Sequence, residues 1–206
     1  MQEVIKNLAV KLFQNPIIAT IFVSMFPVIE VKGAIPFGQS KQIWGNEALS
    51  LVFSLICALI GGLIISALIL LVLKLTFSFF NKNKKFSSLV ERIKSKSSNK
   101  INKVLKTTPF KTYLYLFLFV AIPLPLTGIW SGCLIAALLN LDYFKSLIAI
   151  TLGNAVAGTI IALLSLIAKD VSIYIFYFFA IFLFLTIIYY LTKIIVTNLK
   201  ARKISN

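Results

Sequence analysis

Glu30 and Lys32 are the only charged residues between Lys11 and Lys41, and they stand two apart in the run Pro27-Val-Ile-Glu30-Val-Lys32-Gly33-Ala-Ile-Pro36-Phe-Gly38. An ionisable side chain at membrane depth costs about 2.5–3.5 kcal/mol on insertion scales and marks a functional site by default. A carboxyl such as Glu30 in a dry cavity can take up and release a proton, and Lys32 can pair with it or hold an anionic headgroup. The plainer alternative puts both at the interface, reaching back to water and anchoring the segment. Gly33 and Pro36 break the backbone beside them. A second polar break is Ile122-Pro123-Leu-Pro125-Leu-Thr127-Gly128-Ile-Trp130-Ser131-Gly132. Its prolines and glycines free backbone groups, and Thr127 and Ser131 add hydroxyls. Half-helix ends of this kind coordinate ions or phosphates, unless the segment is simply a kinked span. Asn154, between Gly153 and Ala155, can hydrogen-bond across to either break, as a substrate contact or as helix glue worth only about 0.6 kcal/mol.

The elements that must carry these residues are set by composition. Of the 206 residues, 59% are hydrophobic and 13% charged, against about 45–50% and 25% in a soluble domain. There is too little polar surface for a water-facing globule. The stretches Leu12–Ile29, Ala48–Leu73, Thr112–Leu141, Ser146–Ala168 and Val171–Thr192 carry no charge, and all but the first reach the ~20 residues that a spanning helix needs. An all-α polytopic membrane protein follows. With no histidine, the commonest general base and metal ligand are missing, and the six acids are scattered. Neither an enzyme nor a metal or cofactor site is expected. Cys57 and Cys133 lie inside apolar segments and indicate no disulfide framework. Lys6 and Lys11 precede an apolar run without a small-residue cleavage pattern, so no signal peptide is expected.

The net charge of +15 is concentrated: ten of the 21 basic residues lie between Asn81 and Lys111, and Lys193, Lys200, Arg202 and Lys203 close the chain. Basic clusters flanking spans mark cytoplasmic loops and attract anionic lipid headgroups, so the partners expected are bilayer and headgroups rather than nucleic acid. Residues 1–16 read as an amphipathic interfacial segment on Val4, Leu8 and Leu12. The aromatic run from Tyr174 to Tyr190 reads as a lipid-facing helix.

The density of breakers in Leu12–Ile29 with its continuation to Pro36, and in Thr112–Leu141, points to re-entrant hairpins, because irregular backbone at membrane depth needs protein or a wet cavity around it. At an offset of 95 residues Glu30-x-x-Gly33 overlays Pro125-x-x-Gly128, Glu47 overlays Asp142, and Ala58-x-x-x-Gly62 overlays Gly153-x-x-x-Ala157. The expected organisation is a repeat over 17–80, a basic cytoplasmic linker over 81–111, a second repeat over 112–169, and a C-terminal helix with basic tail over 170–206. If the linker and the tail are both cytoplasmic, the segment between them crosses an even number of times. Reading 112–141 as a hairpin satisfies that count and makes the two halves inverted, the recurring plan of secondary transporters.

At these motifs the chain resembles the small multidrug export protein family of bacteria and archaea. Residues 27–38 are similar to its E-L-R-G-A-I-P signature, with Lys32 in place of the more usual arginine, and residues 123–132 to its P-x-P-x-T-G-x-W block. The resemblance spans about Ile17 to Ala168. It implies a multi-pass transporter of the cytoplasmic membrane, exporting an amphipathic small molecule with ion coupling. The hairpin-plus-span plan more distantly resembles DedA-type proteins, which implies a flippase for a lipid such as undecaprenyl phosphate. Val120 and Leu126 stand near Pro123 where DedA-type proteins place arginines, so Lys32 would have to supply that charge. A non-transporting assembly protein is the third reading, and a second copy of the chain is an admissible partner.

Overall fold

The computed structural model describes residues 13–80 and 109–167 and, beyond them, 178, 181–182, 184–190 and 192–193. Most of the amphipathic segment expected over residues 1–16, most of the linker over 81–111 and most of the C-terminal helix and tail lie outside the described residues. Within the described residues every regular element is helical. Residues 184–190 are helical with Phe184, Leu185, Tyr189 and Tyr190 exposed.

Helix α1 (Pro16–Ser24) starts where Asn15 Oδ1 accepts the Ile17 N–H at 2.8 Å and where Pro16 occupies the first turn at no hydrogen-bonding cost. It stops short of Pro27, which cannot continue a helix. Its hydroxyls donate to carbonyls of the same helix, Thr20 to Pro16 at 2.7 Å and Ser24 to Ile21 at 2.7 Å, which satisfies them without water. Helix α2 (Glu30–Gln39) contains Pro36 and is pinned to its neighbours by side-chain bonds: Ser54 donates to the Ile35 carbonyl at 2.7 Å, and the Trp44 indole to the Phe37 carbonyl at 3.1 Å. Ser40 opens the short α3 (Lys41–Trp44), and a 3₁₀ turn (Gly45–Glu47) leads into α4 (Leu51–Phe80). After the linker, α5 (Pro109–Ala121) and α6 (Ile129–Leu138) precede α7 (Tyr143–Ile167).

Among the described residues two helices are long and apolar enough to cross a membrane, 26 residues from Leu51 to Thr76 and 25 from Tyr143 to Ile167. The first continues through Lys74, whose apolar stem suits a helix end near the interface. They run antiparallel: Gly158 lies against Leu55 and Leu59, Gly62 against Asn154, and the Tyr143 hydroxyl donates to the Ala67 carbonyl at 3.2 Å. Asp142 opens α7 by accepting the Lys145 N–H at 3.0 Å. That bond, with the nearby Lys74 and Lys145 charges, holds its carboxyl below the usual value despite some desolvation.

Contacts link the segments that flank each short pair. Phe13, ahead of α1, packs in one cluster with Phe37, Ile43 and Trp44 at the far end of α2 and α3. Tyr113, near the start of α5, accepts the Asp142 N–H at 3.1 Å just beyond α6. Glycines let the short helices dock closely: a Cβ on Gly61 would collide with the Ile21 carbonyl of α1, and one on Gly153 would fall 2.6 Å from the Phe117 carbonyl of α5. Ala58 and Ala157 meet in a cluster with Val31, Ala34, Ile35 and Ile161, joining α2, α4 and α7. The interior holds Thr20, Ser24, Glu30, Lys32, Ser54, Ser66, Ser146 and Asn154, while Val52, Phe53, Ile60, Leu68 and Val72 of α4 and Ile148, Leu152 and Leu163 of α7 are exposed. An exterior this apolar, with hydroxyls, an amide and a charge pair kept inside among the apolar core, suits lipid rather than water.

Candidate functional site

The first break, residues 25–29 between α1 and α2, and the second, residues 122–128 between α5 and α6, meet at one place. There the Lys32 ammonium lies 2.9 Å from Glu30 Oε2, with the two side chains 1% and 3% exposed. It also donates to the Leu124 carbonyl at 2.9 Å and to the Thr127 carbonyl. An ammonium carries three N–H donors and no acceptor. All three of Lys32 are therefore engaged, one by the carboxylate and two by the second break. The other carboxylate oxygen, Glu30 Oε1, accepts the Trp130 backbone N–H at 3.3 Å, in the first turn of α6. An anion is favoured there by the unpaired amides and the positive end of the helix dipole. The Trp130 indole returns the contact, donating to the Met25 carbonyl at 3.0 Å in the first break. The first turn of the helix after each break thus donates to the other half.

Local chemistry explains why the backbone presents these groups. The Thr127 hydroxyl lies 2.6 Å from the Ile122 carbonyl, to which it donates, and accepts the Leu124 N–H at 3.2 Å. This closes a tight loop whose carbonyls at 124 and 127 turn toward Lys32. Gly128, with φ +148°, sits against the Glu30 carboxylate so closely that a Cβ would collide with it. Both breaks hold residues in the left-handed region: Val28 (φ 72°) and Glu30 (φ 45°) in the first, Leu126 (φ 69°) in the second. A β-branched residue there is a genuine outlier, and such strain gathers at functional sites.

The residues singled out in the sequence divide accordingly. Glu30, Lys32, Thr127 and Gly128 come together, Thr127 through its carbonyl rather than its hydroxyl. Ser131 lies one turn further on, its hydroxyl donating to the Gly128 carbonyl at 3.3 Å. Gly33 and Pro36 are buried within α2, the Gly33 N–H bonded to the Ile29 carbonyl at 2.9 Å. Pro123 and Pro125 shape the loop from its outer side, half-buried. Asn154 is buried against Gly62, and no hydrogen bond joins it to either break among the described residues. The sequence reading missed the Leu124 carbonyl, the Trp130 backbone and indole, and the Met25 carbonyl. The Thr-Gly-x-Trp spacing was the available signal, since a loop-closing threonine followed by a glycine and a helix start leaves amides free.

A family model described as “Putative small multi-drug export protein” matches residues 30–160, more than half of the chain, from Glu30 through the second break. No curated protein and no solved structure matches the chain.

Proposed function

The chain belongs to the small multi-drug export protein family, a family of membrane transporters by its description, and on that premise we propose that it exports an amphipathic small molecule by ion coupling, with Glu30 as the coupling carboxylate. The observation that carries this reading is the buried Glu30–Lys32 pair, held between two broken segments by groups from both. A charge pair withdrawn from water is weak evidence for stability, and in a membrane such pairs mark ion and substrate paths. Protonation of Glu30 breaks its ion pair with Lys32 and loosens the contact between the two halves, and loss of the proton restores both.

The two breaks are the tips of re-entrant hairpins, and the halves are inverted repeats. Three features support this. Helices α1 and α2, of nine and ten residues, rise about 14–15 Å at 1.5 Å per residue, half of a ~30 Å hydrocarbon core. Positive-φ positions recur in the same order in the two halves, Val28 and Glu30 with Leu126 and Gly128 at a spacing of 98, and Gly45 with Asn140 at a spacing of 95. The long helices α4 and α7 are antiparallel, and each receives a short helix on a glycine. With the basic 81–111 segment in the cytoplasm, the Asn140 turn faces the cytoplasm and the Asn46 turn the opposite side of a bacterial or archaeal inner membrane. Single cysteines at these two positions, in a background lacking Cys57 and Cys133, are expected to label from opposite faces of intact cells. Labelling of both from the same face would contradict the inverted arrangement.

Transport itself is tested with purified protein in liposomes under an imposed pH gradient, following a fluorescent lipophilic cation and a polyprenyl-phosphate analogue side by side. The expected result is movement of the cation, reduced at least about tenfold in Glu30→Gln, a loss typical of a group needed for proton transfer. Lys32 spends all three donors within the protein, so the phosphate analogue is expected to stay put. Movement of the lipid alone would make the protein a flippase. Activity indifferent to Glu30→Gln would leave the pair a structural clamp.

A further inference from the structure

Lys32 does not simply neutralise Glu30. Its ammonium fills a ready-made set of oxygens: one carboxylate oxygen and two backbone carbonyls from an unwound loop, Leu124 and Thr127. Carbonyls of broken segments together with a carboxylate are the usual means of holding a cation at membrane depth. The 2.9 Å contacts to Glu30 Oε2 and the Leu124 carbonyl have the length of N–H···O bonds, which suits an ammonium. The set joins Glu30 to carbonyls of Leu124 and Thr127, on a segment distant in sequence, so it exists only when the two broken segments are together. The Thr127 hydroxyl and the glycine at 128, which admits the carboxylate, shape it.

We propose that Glu30 Oε2 and the carbonyls of Leu124 and Thr127 form a binding site for the protonated primary amine of a transported molecule, and that Lys32 is the tethered occupant that keeps this site closed when no substrate is present. The inference rests on the export reading for its place in transport, but the site stands on the oxygen set alone. An arriving alkylammonium takes the same three oxygens as Lys32 swings aside, one ammonium replacing another. Its apolar remainder would lie along the loop, where Ile122, Leu124 and Leu126 are exposed. This assigns amphipathic primary amines as the substrate class and gives α2 a built-in competitor.

The test is binding rather than transport, so its failure leaves the export reading standing. Purified Lys32→Ala in nanodiscs is titrated with methylammonium, sodium or tetramethylammonium chloride at constant ionic strength, and the melting temperature is recorded. Methylammonium is expected to raise it by roughly 5 °C or more near saturation. Sodium, and tetramethylammonium with no N–H, should not. The parent, in which Lys32 competes for the site, should respond much more weakly than Lys32→Ala, and the Lys32→Ala/Glu30→Gln double variant should not respond to methylammonium. Should Lys32→Ala fold only when purified in methylammonium, that rescue supports the site. Lys32→Ser, which keeps one short donor, is the second variant for the same titration. A response to sodium in place of methylammonium would overturn the amine assignment. No response to any cation, or failure of both variants to fold even with methylammonium present, would overturn the site.

Discussion

Replacing Gly128 by alanine is expected to disassemble the site while changing one methyl group. Two effects act together. The φ of +148° at this position belongs to a region that residues with a Cβ avoid, at about 1–3 kcal/mol. The added Cβ would also occupy the space of the Glu30 carboxylate, which is held against the Gly128 backbone by Lys32 and the Trp130 N–H. Glu30 must then move away from Lys32, leaving two charges in the interior without partners. A loss of roughly 3 kcal/mol or more is expected, which at ~2–4 °C per kcal/mol for a chain of this size lowers the melting temperature of the purified protein by at least about 6 °C. Cation movement should disappear with it. Gly45→Ala is the control: Gly45 also has positive φ (59°), but nothing lies within 4 Å of its would-be Cβ, so only the backbone strain is introduced. Its melting temperature should fall less and transport should survive.

The second large effect concerns the pair itself. Removing one partner of a buried ion pair costs about 3–5 kcal/mol, mostly because the remaining charge is stranded, whereas removing both charges is often neutral. Lys32→Ala strands Glu30, and Glu30→Gln strands the Lys32 ammonium with only two carbonyls. Each single variant is expected to melt well below the parent, by roughly 6–20 °C for Lys32→Ala. The double variant Glu30→Gln/Lys32→Met should recover at least half of that loss, because both charges are gone and methionine keeps most of the lysine stem's volume. This non-additivity is the signature of directly coupled residues. Additive losses would mean that the two side chains contribute separately. The double variant has no coupling carboxylate and should stay inactive in transport, which separates folding from function.

Much of this architecture could be read from residue types. The apolar stretches 48–73 and 146–168 became α4 and α7, and the breaker clusters around Pro27 and Pro123 are the places where the chain leaves helix and returns. Glu30 and Lys32 stood out because charge is so scarce between Lys11 and Lys41. The small residues of Ala58-x-x-x-Gly62 and Gly153-x-x-x-Ala157 line the contacts of α4 and α7, as their spacing suggests. What could not be read was backbone direction. A sequence names hydroxyls but does not say which carbonyls turn inward. Thr127 and Ser131 were therefore expected to offer side chains to the site, whereas both bond their own loop and helix, and the site receives the Leu124 and Thr127 carbonyls instead. Nor does a glycine announce its reason: Gly128 could have served a turn, a kink or close packing, and its contact with a carboxylate nearly 100 residues away is a tertiary fact. Asn154 was drawn toward the breaks by its polarity, yet it lies against Gly62.

The central claim is that Glu30 exchanges protons as the substrate moves, and the most direct measurement is the pH inside proteoliposomes when a lipophilic primary amine is added outside. A trapped pH indicator reads the lumen, and a passive weak-base effect is removed by subtracting protein-free vesicles. The account predicts that the parent protein produces an additional alkaline shift, as protons leave in exchange for the entering cation, and that Glu30→Gln, verified as folded by its melting curve, produces none. An equal shift with Glu30→Gln would contradict the account, as would cation uptake by the parent with no pH change beyond that of empty vesicles.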